Sequence, residues 1–124
     1  MSYGFGERAD IHASAVERLG LKTRFKVGSK ERRAPLAVEL NLPGMHNVLN
    51  SLAAIAVAAE LEIDDAPLLK ALAEFSGVDR RLQVHGTVQT TAGRVTFVDD
   101  YGHHPTELAA TIAAARDAWP GRRL

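Results

Sequence analysis

Apolar residues recur at every second position over much of residues 9–41. Ile11, Ala13 and Ala15 alternate with other residues, followed by Thr23, Phe25 and Val27, and then Leu36, Val38 and Leu40. A period of two sends successive side chains to opposite faces of a strand. Gly20 separates the first two runs, and the polar stretch Gly28–Pro35 precedes the third. The pattern predicts an antiparallel three-strand meander with one apolar face and one wet face. Its outward residues point to a structural role for this sheet.

Beyond Pro43-Gly44 the period changes. Val48, Leu52, Ile55 and Ala59 fall on one stripe, and Leu49, Ala53 and Ala56 widen it. This predicts a helix from about His46 to Leu61, buried against a sheet. A second helix is expected from Asp64 or Asp65, whose carboxylates suit the free N–H groups of a first turn. Leu68, Leu69, Leu72 and Phe75 would form its packing face. Ser76–Arg81 breaks the helical pattern and reads as a linker. Leu82, Val84, Gly86 and Val88 then alternate, and Ala92-Gly93 turns the chain into Arg94–Val98, which predicts a β-hairpin. Val95–Val98 reads as a buried strand. A last helix is expected from Pro105 to about Trp119, with Leu108, Ile112, Ala115 and Trp119 along one side and Pro120-Gly121 as its stop. The fold class is therefore α/β, locally α+β: a small three-strand sheet with two helices, then a hairpin and a helix.

With 124 residues, 46% of them apolar and 24% charged, the chain suits a soluble globular protein with a true core. Fifteen basic residues balance fifteen acidic ones, so no field favours nucleic acid. The basic clusters at Lys30, Arg32 and Arg33 and at Arg122 and Arg123 lack interleaved aromatics and read as solvated turns and ends. The absence of cysteine rules out disulfide and thiolate chemistry and agrees with a cytoplasmic location. The first residues do not form a signal peptide, and the apolar run Leu49–Ala59 is too short to cross a membrane.

The chemistry gathers at three places. Asp99-Asp100-Tyr101-Gly102-His103-His104-Pro105-Thr106-Glu107 places acids, an aromatic and two imidazoles between a strand and a helix start. Open α/β proteins use such positions for ligands, although turn-forming acids and a rigid Gly-His-His-Pro loop would read the same way. Asp100 can accept from ribose hydroxyls, and Tyr101 can stack on an aromatic ligand or cover the hinge. His103 and His104 suit proton transfer or hydrogen bonding near neutrality. Asn47 and Asn50 share a helix face, and an amide can donate and accept at once, as an adenine edge requires. A cap and a packed polar residue are the alternatives there, with His46 orienting the loop. Arg80 and Arg81 offer planar donor forks for phosphate or carboxylate, or they are exposed linker residues. No metal-ligand spacing and no phosphate-binding G-x-x-x-x-G-K-[ST] loop occurs.

Leu42–Ala54, with Pro43-Gly44-Met45-His46-Asn47 and Asn50, resembles the adenine-side helix of the Mur ligases. Gly77-Val78-Asp79-Arg80-Arg81-Leu82 resembles their junction between central and C-terminal domains, and Asp99–Glu107 resembles the start of the C-terminal domain. Tyr3-Gly4-Phe5-Gly6 followed by Ala9-Asp10 is similar to the middle of the central domain. The resemblance covers essentially the whole chain in order. The paired histidines narrow it to the alanine-adding branch or the related murein-peptide recycling branch.

The resemblance implies ATP-dependent joining of L-alanine to UDP-N-acetylmuramate through an acyl phosphate, with Mg2+ in the complete enzyme. It implies that Asn47 and Asn50 contact adenine, with His46 supporting the same wall. Arg81, or Arg80 as the alternative, would approach the phosphates. Asp100 would engage ribose, Tyr101 would flank the nucleotide, and His103 or His104 would face the alanine or the acyl phosphate. Residues 1–76 would be the later part of the ATP-binding central domain, 77–81 the linker, and 82–124 the start of a C-terminal Rossmann-like domain. The phosphate loop, the magnesium ligands and the sugar-binding domain have no counterpart in these residues. The expectation is therefore an internal segment of a ligase, inactive alone, with sheet edges open to self-association. A small non-catalytic nucleotide-binding or assembly module is the reading from a different class.

Overall fold

The two hydrophobic periods meet in one core. The computed structural model describes all residues, Met1–Leu124. Four strands, β1 (Tyr3–Gly4), β2 (Ile11–Leu19), β3 (Lys22–Ser29) and β4 (Leu36–Leu40), lie side by side in that order. β2, β3 and β4 form the expected antiparallel meander, with Ala13 opposite Val27 and Phe25 opposite Val38. The sheet nevertheless has four strands rather than three, because β1 adds parallel to β2. A two-residue strand is too short to show alternation. The Ala15 position also departs from the pattern. β2 carries an irregularity between Ser14 and Glu17, and Ala15 has a φ of 48°. The extra residue moves Ala15 to the surface and turns Val16 toward the core instead.

Helix α1 (Met45–Glu60) crosses this sheet with Val48 and Leu52 fully enclosed and Ile55 beside them. Ser51 and Ala58 are buried on the same side, whereas Leu49 and Ala59 face outward. The apolar stripe is thus rotated slightly from the expected one. Ser51 is accommodated by donating its hydroxyl to the Val48 carbonyl at 2.7 Å. Helix α2 (Asp65–Glu74) buries Leu72 and packs Leu68 and Leu69 on the core, while Phe75 remains half exposed. Neither aspartate at its start caps it with a side-chain hydrogen bond. Asp65 instead accepts from both terminal nitrogens of Arg32, with Nη1 at 2.7 Å, which pins the β3–β4 connection to α2.

After the linker come β5 (Gln83–Thr90) and β6 (Gly93–Asp99), paired as an antiparallel hairpin with an irregularity between Val84 and Gly86. The hairpin carries its apolar residues on the surface, with Phe97 55% exposed and Val84, Val88, Val95 and Val98 exposed as well. This corrects the expectation of a buried strand at Val95–Val98: alternation assigns faces to a strand but does not supply a covering layer. Helix α3 (Pro105–Ala118) shows a similar inversion. Leu108 and Ile112 are exposed, and the face turned inward is made by Ala114 and Ala118. Arg18 on β2 holds this helix through Asp117, at 3.0 Å. No helix is long and apolar enough to cross a membrane.

Small residues form the seam where α3 meets the start of α1. A Cβ placed on Gly44, which has a φ of 94°, would come within 2.8 Å of the Ala114 Cβ and of the His46 ring. Gly44→Ala should therefore destabilise the fold by on the order of 2 kcal/mol or more, through backbone strain and the clash together. Gly4→Ala, where the added methyl meets nothing within 4 Å, should change stability by less than about 0.5 kcal/mol. Urea unfolding of the two variants compares these outcomes, and equal midpoints would refute the seam as described.

Candidate functional site

Beside the seam between α1 and α3 lies a cleft of about 780 Å³, lined by the end of β4, the three helices, the linker and the loop before α3. Leu40, Leu42 and Leu72 contribute apolar lining. The first turns of α1 present His46, Asn47 and Asn50, the linker presents Arg81, and the start of α3 with its preceding loop presents Asp100, Thr106 and Glu107. Concave sites with an apolar base and a few convergent polar groups are what small-molecule recognition requires.

The polar groups differ in how much hydrogen-bonding capacity they retain. Asn47 donates through Nδ2 to the Pro43 carbonyl at 2.8 Å, which fixes its amide and leaves the oxygen and one N–H for a ligand. Asn50, one turn later, is exposed, and its side chain makes no hydrogen bond within the protein. The half-buried His46 has its pKa lowered from 6.5, chiefly by burial. The negative charge of Asp100 opposes that shift and the positive charge of Arg81 adds to it. A neutral imidazole with one donor and one acceptor nitrogen is the outcome near pH 7.

Asp100 has a structural duty. Its Oδ2 accepts from the backbone N–H of Leu82 at 2.8 Å and its Oδ1 from that of Gly102 at 2.8 Å. The carboxylate thereby fastens the end of the linker to the loop before α3. The Tyr101 N–H, donating to the Arg80 carbonyl at 2.7 Å, adds a second tie. A Cβ on Gly102 would approach Asp100 Oδ1 to 2.8 Å, so a larger residue there would press on the carboxylate that makes the first tie.

The residues singled out by sequence fall into two groups. His46, Asn47, Asn50, Arg81 and Asp100 share the cleft, whereas Arg80, Tyr101, His103 and His104 do not line it. Arg80 reaches Asp99 at 3.2 Å and lies 4.8 Å from the centre of the Tyr101 ring, a cation–π distance. The ring of His103 meets Tyr101 edge-on at 5.4 Å. His104 is the N-cap of α3: its Nδ1 accepts from the Thr106 N–H at 3.3 Å. Glu107 completes this capping box from the third helical position, and sequence reasoning passed over it as a site residue. The available signal was a glutamate three residues after a polar residue that precedes Pro105. The carboxyl of Glu107 is held below its ordinary pKa by the N–H groups of His103 and His104, so it is ionised at neutral pH.

A second concavity, of about 630 Å³, has a charged rim whose two cationic side chains are already paired, Lys30 with Asp10 at 3.1 Å and Arg32 with Asp65, while Glu31, Glu60, Glu62 and Asp64 make no ion pair. It offers a weaker set of free donors. No group of three or more His, Cys, Asp or Glu side chains is arranged to hold a metal ion.

Comparison with known proteins bears directly on this site. Residues 1–58 match the Mur ligase middle domain, and residues 80–124 match the glutamate ligase domain of Mur ligases. A UDP-N-acetylmuramate–L-alanine ligase of Methylococcus capsulatus is 54% identical over 123 residues, covering 99% of this chain and 26% of that protein. The enzyme of the same name from Methylibium petroleiphilum is 59% identical over 131 residues, covering all of this chain and 27% of its own length. The chain thus spans about a quarter of the length of the curated relatives it matches. Among solved structures, a UDP-N-acetylmuramate–alanine ligase from Thermotoga maritima superposes with a TM-score of 0.79 at 31% identity, over 94% of this chain and 26% of that one.

The lowered pKa of His46 has a consequence for stability. The unfolded imidazole binds a proton more readily than the folded one, so stability falls as pH drops below about 6.5. The carboxylates of Asp10, Glu39, Asp65 and Glu107 titrate lower still, each held below an ordinary value of 4.5 or less by its hydrogen bonds. Between pH 7 and pH 5.5 the urea midpoint of the native chain should therefore fall more steeply than that of His46→Gln. Parallel slopes would show that His46 is not buried as described.

Proposed function

The chain belongs to the Mur ligase family, and from that membership we propose that it is a segment of an ATP-dependent ligase joining L-alanine to UDP-N-acetylmuramate in peptidoglycan synthesis. The observation that carries the reading is the cleft, where two asparagines on one face of α1 lie with Arg81 of the linker. The names of the relatives support the alanine-adding branch. In this reading residues 1–76 belong to the central domain, 77–81 form the linker, and 82–124 begin the C-terminal domain.

Asn47 and Asn50 recognise the adenine edge, each supplying an acceptor and a donor with no charge to desolvate. His46, neutral in its half-buried position, closes the same wall. Arg81 faces the phosphates as a planar fork. Asp100 keeps lone pairs beyond those used by Leu82 and Gly102 and can accept from a ribose hydroxyl. His103 or His104, on the loop before α3, faces the amino-acid substrate through Nε2, because the Nδ1 of His103 is engaged by the Tyr101 carbonyl at 3.2 Å and that of His104 by the Thr106 N–H at 3.3 Å.

The reaction proceeds in two steps. The muramyl carboxylate attacks the γ-phosphorus and ADP departs, leaving an acyl phosphate. The amine of L-alanine then adds to the acyl carbon, loses a proton, and phosphate leaves as the amide forms. ATP supplies the activation, converting a carboxylate oxygen that cannot leave into a phosphate that can. Positive groups such as Arg81 offset the charge that collects on oxygen. The residues of this chain do not form a magnesium cage.

Titration of the chain with ATP is the direct test of the adenine wall. Asn50→Ala should weaken binding about tenfold, the loss expected for removing paired hydrogen bonds to a ligand. Unchanged affinity would remove Asn50 from the site. For the whole reaction, residues 1–124 can replace the matching segment of the Methylococcus capsulatus ligase. ADP release that depends on UDP-N-acetylmuramate and L-alanine is the expected result. A folded chimera that accepts a murein tripeptide in place of L-alanine would overturn the substrate assignment.

A further inference from the structure

Arg81 has one ionic partner in the fold. Its Nη1 lies 3.9 Å from Oε1 of Glu107, while its neighbour Arg80 is engaged by Asp99 on the other side of the linker. The other oxygen of Glu107, Oε2, accepts from the N–H groups of His103 and His104 at 3.3 Å each and lies 3.8 Å from His103 Nδ1. One carboxylate on the first turn of α3 thus touches both the linker arginine and the histidine loop. Glu107 and Arg81 also line the same cleft.

We propose that Glu107 is a positioning residue, one that sets Arg81 for the phosphates of the incoming nucleotide and at the same time fixes the backbone of the His103–His104 loop. The inference rests on the nucleotide-binding reading of the cleft and goes beyond it by assigning the orientation of Arg81 to a residue outside the adenine wall. Its geometry separates the two duties by oxygen. Oε2 is bound to the loop and cannot leave without unmaking the capping box. Oε1 holds Arg81 at the long end of ion-pair range, so the guanidinium is restrained at the cleft by a contact weak enough to be exchanged for one to a phosphate. The carboxylate itself repels a polyanion. Its value to nucleotide binding is therefore only through Arg81, and this makes its removal diagnostic.

If Glu107 were merely a helix cap, Glu107→Gln would leave ATP affinity unchanged or raise it, because the substitution deletes a negative charge beside the phosphates. Positioning of Arg81 demands the opposite. Glu107→Gln, whose amide oxygen still accepts from the loop, should fold normally and bind ATP about fivefold more weakly. Glu107→Asp keeps the charge but is one methylene too short to reach both partners, and it should also bind ATP more weakly. Equal or tighter binding by Glu107→Gln would overturn the proposal. A nucleotide-independent reading comes from the side-chain Nε–Hε resonance of Arg81 in the ligand-free chain. It should report restricted motion in the native protein and free motion in both variants, while the backbone amides of His103 and His104 hold their positions in Glu107→Gln. If the native chain fails to bind ATP but this resonance responds as expected, the nucleotide reading fails and the Arg81 coupling stands. If the resonance is the same in all three proteins, the coupling fails.

Discussion

The close approach of Gly44 to α3 is the constraint on which the site depends. At that point the chain leaves the sheet, adopts a φ of 94° and begins α1, with the Cβ of Ala114 where a side chain of its own would stand. Only a residue without a Cβ permits this contact, and only a small residue on α3 completes it. The approach brings the first turns of α1 opposite the first turns of α3. His46, Asn47 and Asn50 therefore face the same cleft as Asp100 and Glu107, although fifty or more positions separate them in the sequence. A larger residue at position 44 would press on Ala114 and on the His46 ring together, and so disturb both the helix contact and the cleft wall.

The acidic residues of the fold are fasteners before they are anything else. Asp10 gathers the N–H and hydroxyl of Ser2 and the ammonium of Lys30, Asp65 gathers Arg32, and Asp100 gathers two backbone N–H groups. Each joins segments that are distant in the chain or that turn sharply. This is the physical reason the Asp99–Glu107 motif is so dense. A linker with positive φ at Arg80 and Leu82, 59° and 48°, needs compensation close at hand. Asp100 and the Tyr101 N–H supply it. A residue tied in this way can still accept a further hydrogen bond from a ligand, and its fixed position is what makes that bond specific.

Much of the fold was legible in the sequence because its core elements are long and strongly periodic. The meander, both central helices, the hairpin and the last helix all form near the expected positions. What was not legible follows from two kinds of context. Local irregularity moved Ala15 outward, and β1 was too short to leave a pattern. More tellingly, the apolar residues of β6 and α3 have the right periodicity and yet face solvent, since periodicity says which residues share a face and nothing about what lies against it. In α3 the inward face was chosen by size rather than hydrophobicity: Ala114 fits against Gly44 at the start of α1 and Ala118 is buried with it, whereas Leu108 and Ile112 are exposed. The cleft was legible in part for the same reason. Asn47, Asn50 and His46 sit on a helix whose phase is predictable, whereas Glu107 becomes visible only when its cap and its distance to Arg81 are known.

The charges around the cleft decide which part of a nucleotide these residues can serve well. Asp100 and Glu107 bring two negative charges and Arg81 one positive charge, with His46 neutral by burial. A polyphosphate entering this field alone would meet net repulsion, because like charges in a partly desolvated cleft interact more strongly than in water. A purine meets no such barrier. The amides of Asn47 and Asn50 are uncharged, the leucine floor is apolar, and hydrogen bonds to neutral groups require little desolvation. Under the proposed function, the chain therefore supplies the base-recognition half of the nucleotide site on favourable terms. The phosphate half depends on Arg81 being presented at the right place, and that is the one feature in the cleft that a single carboxylate controls.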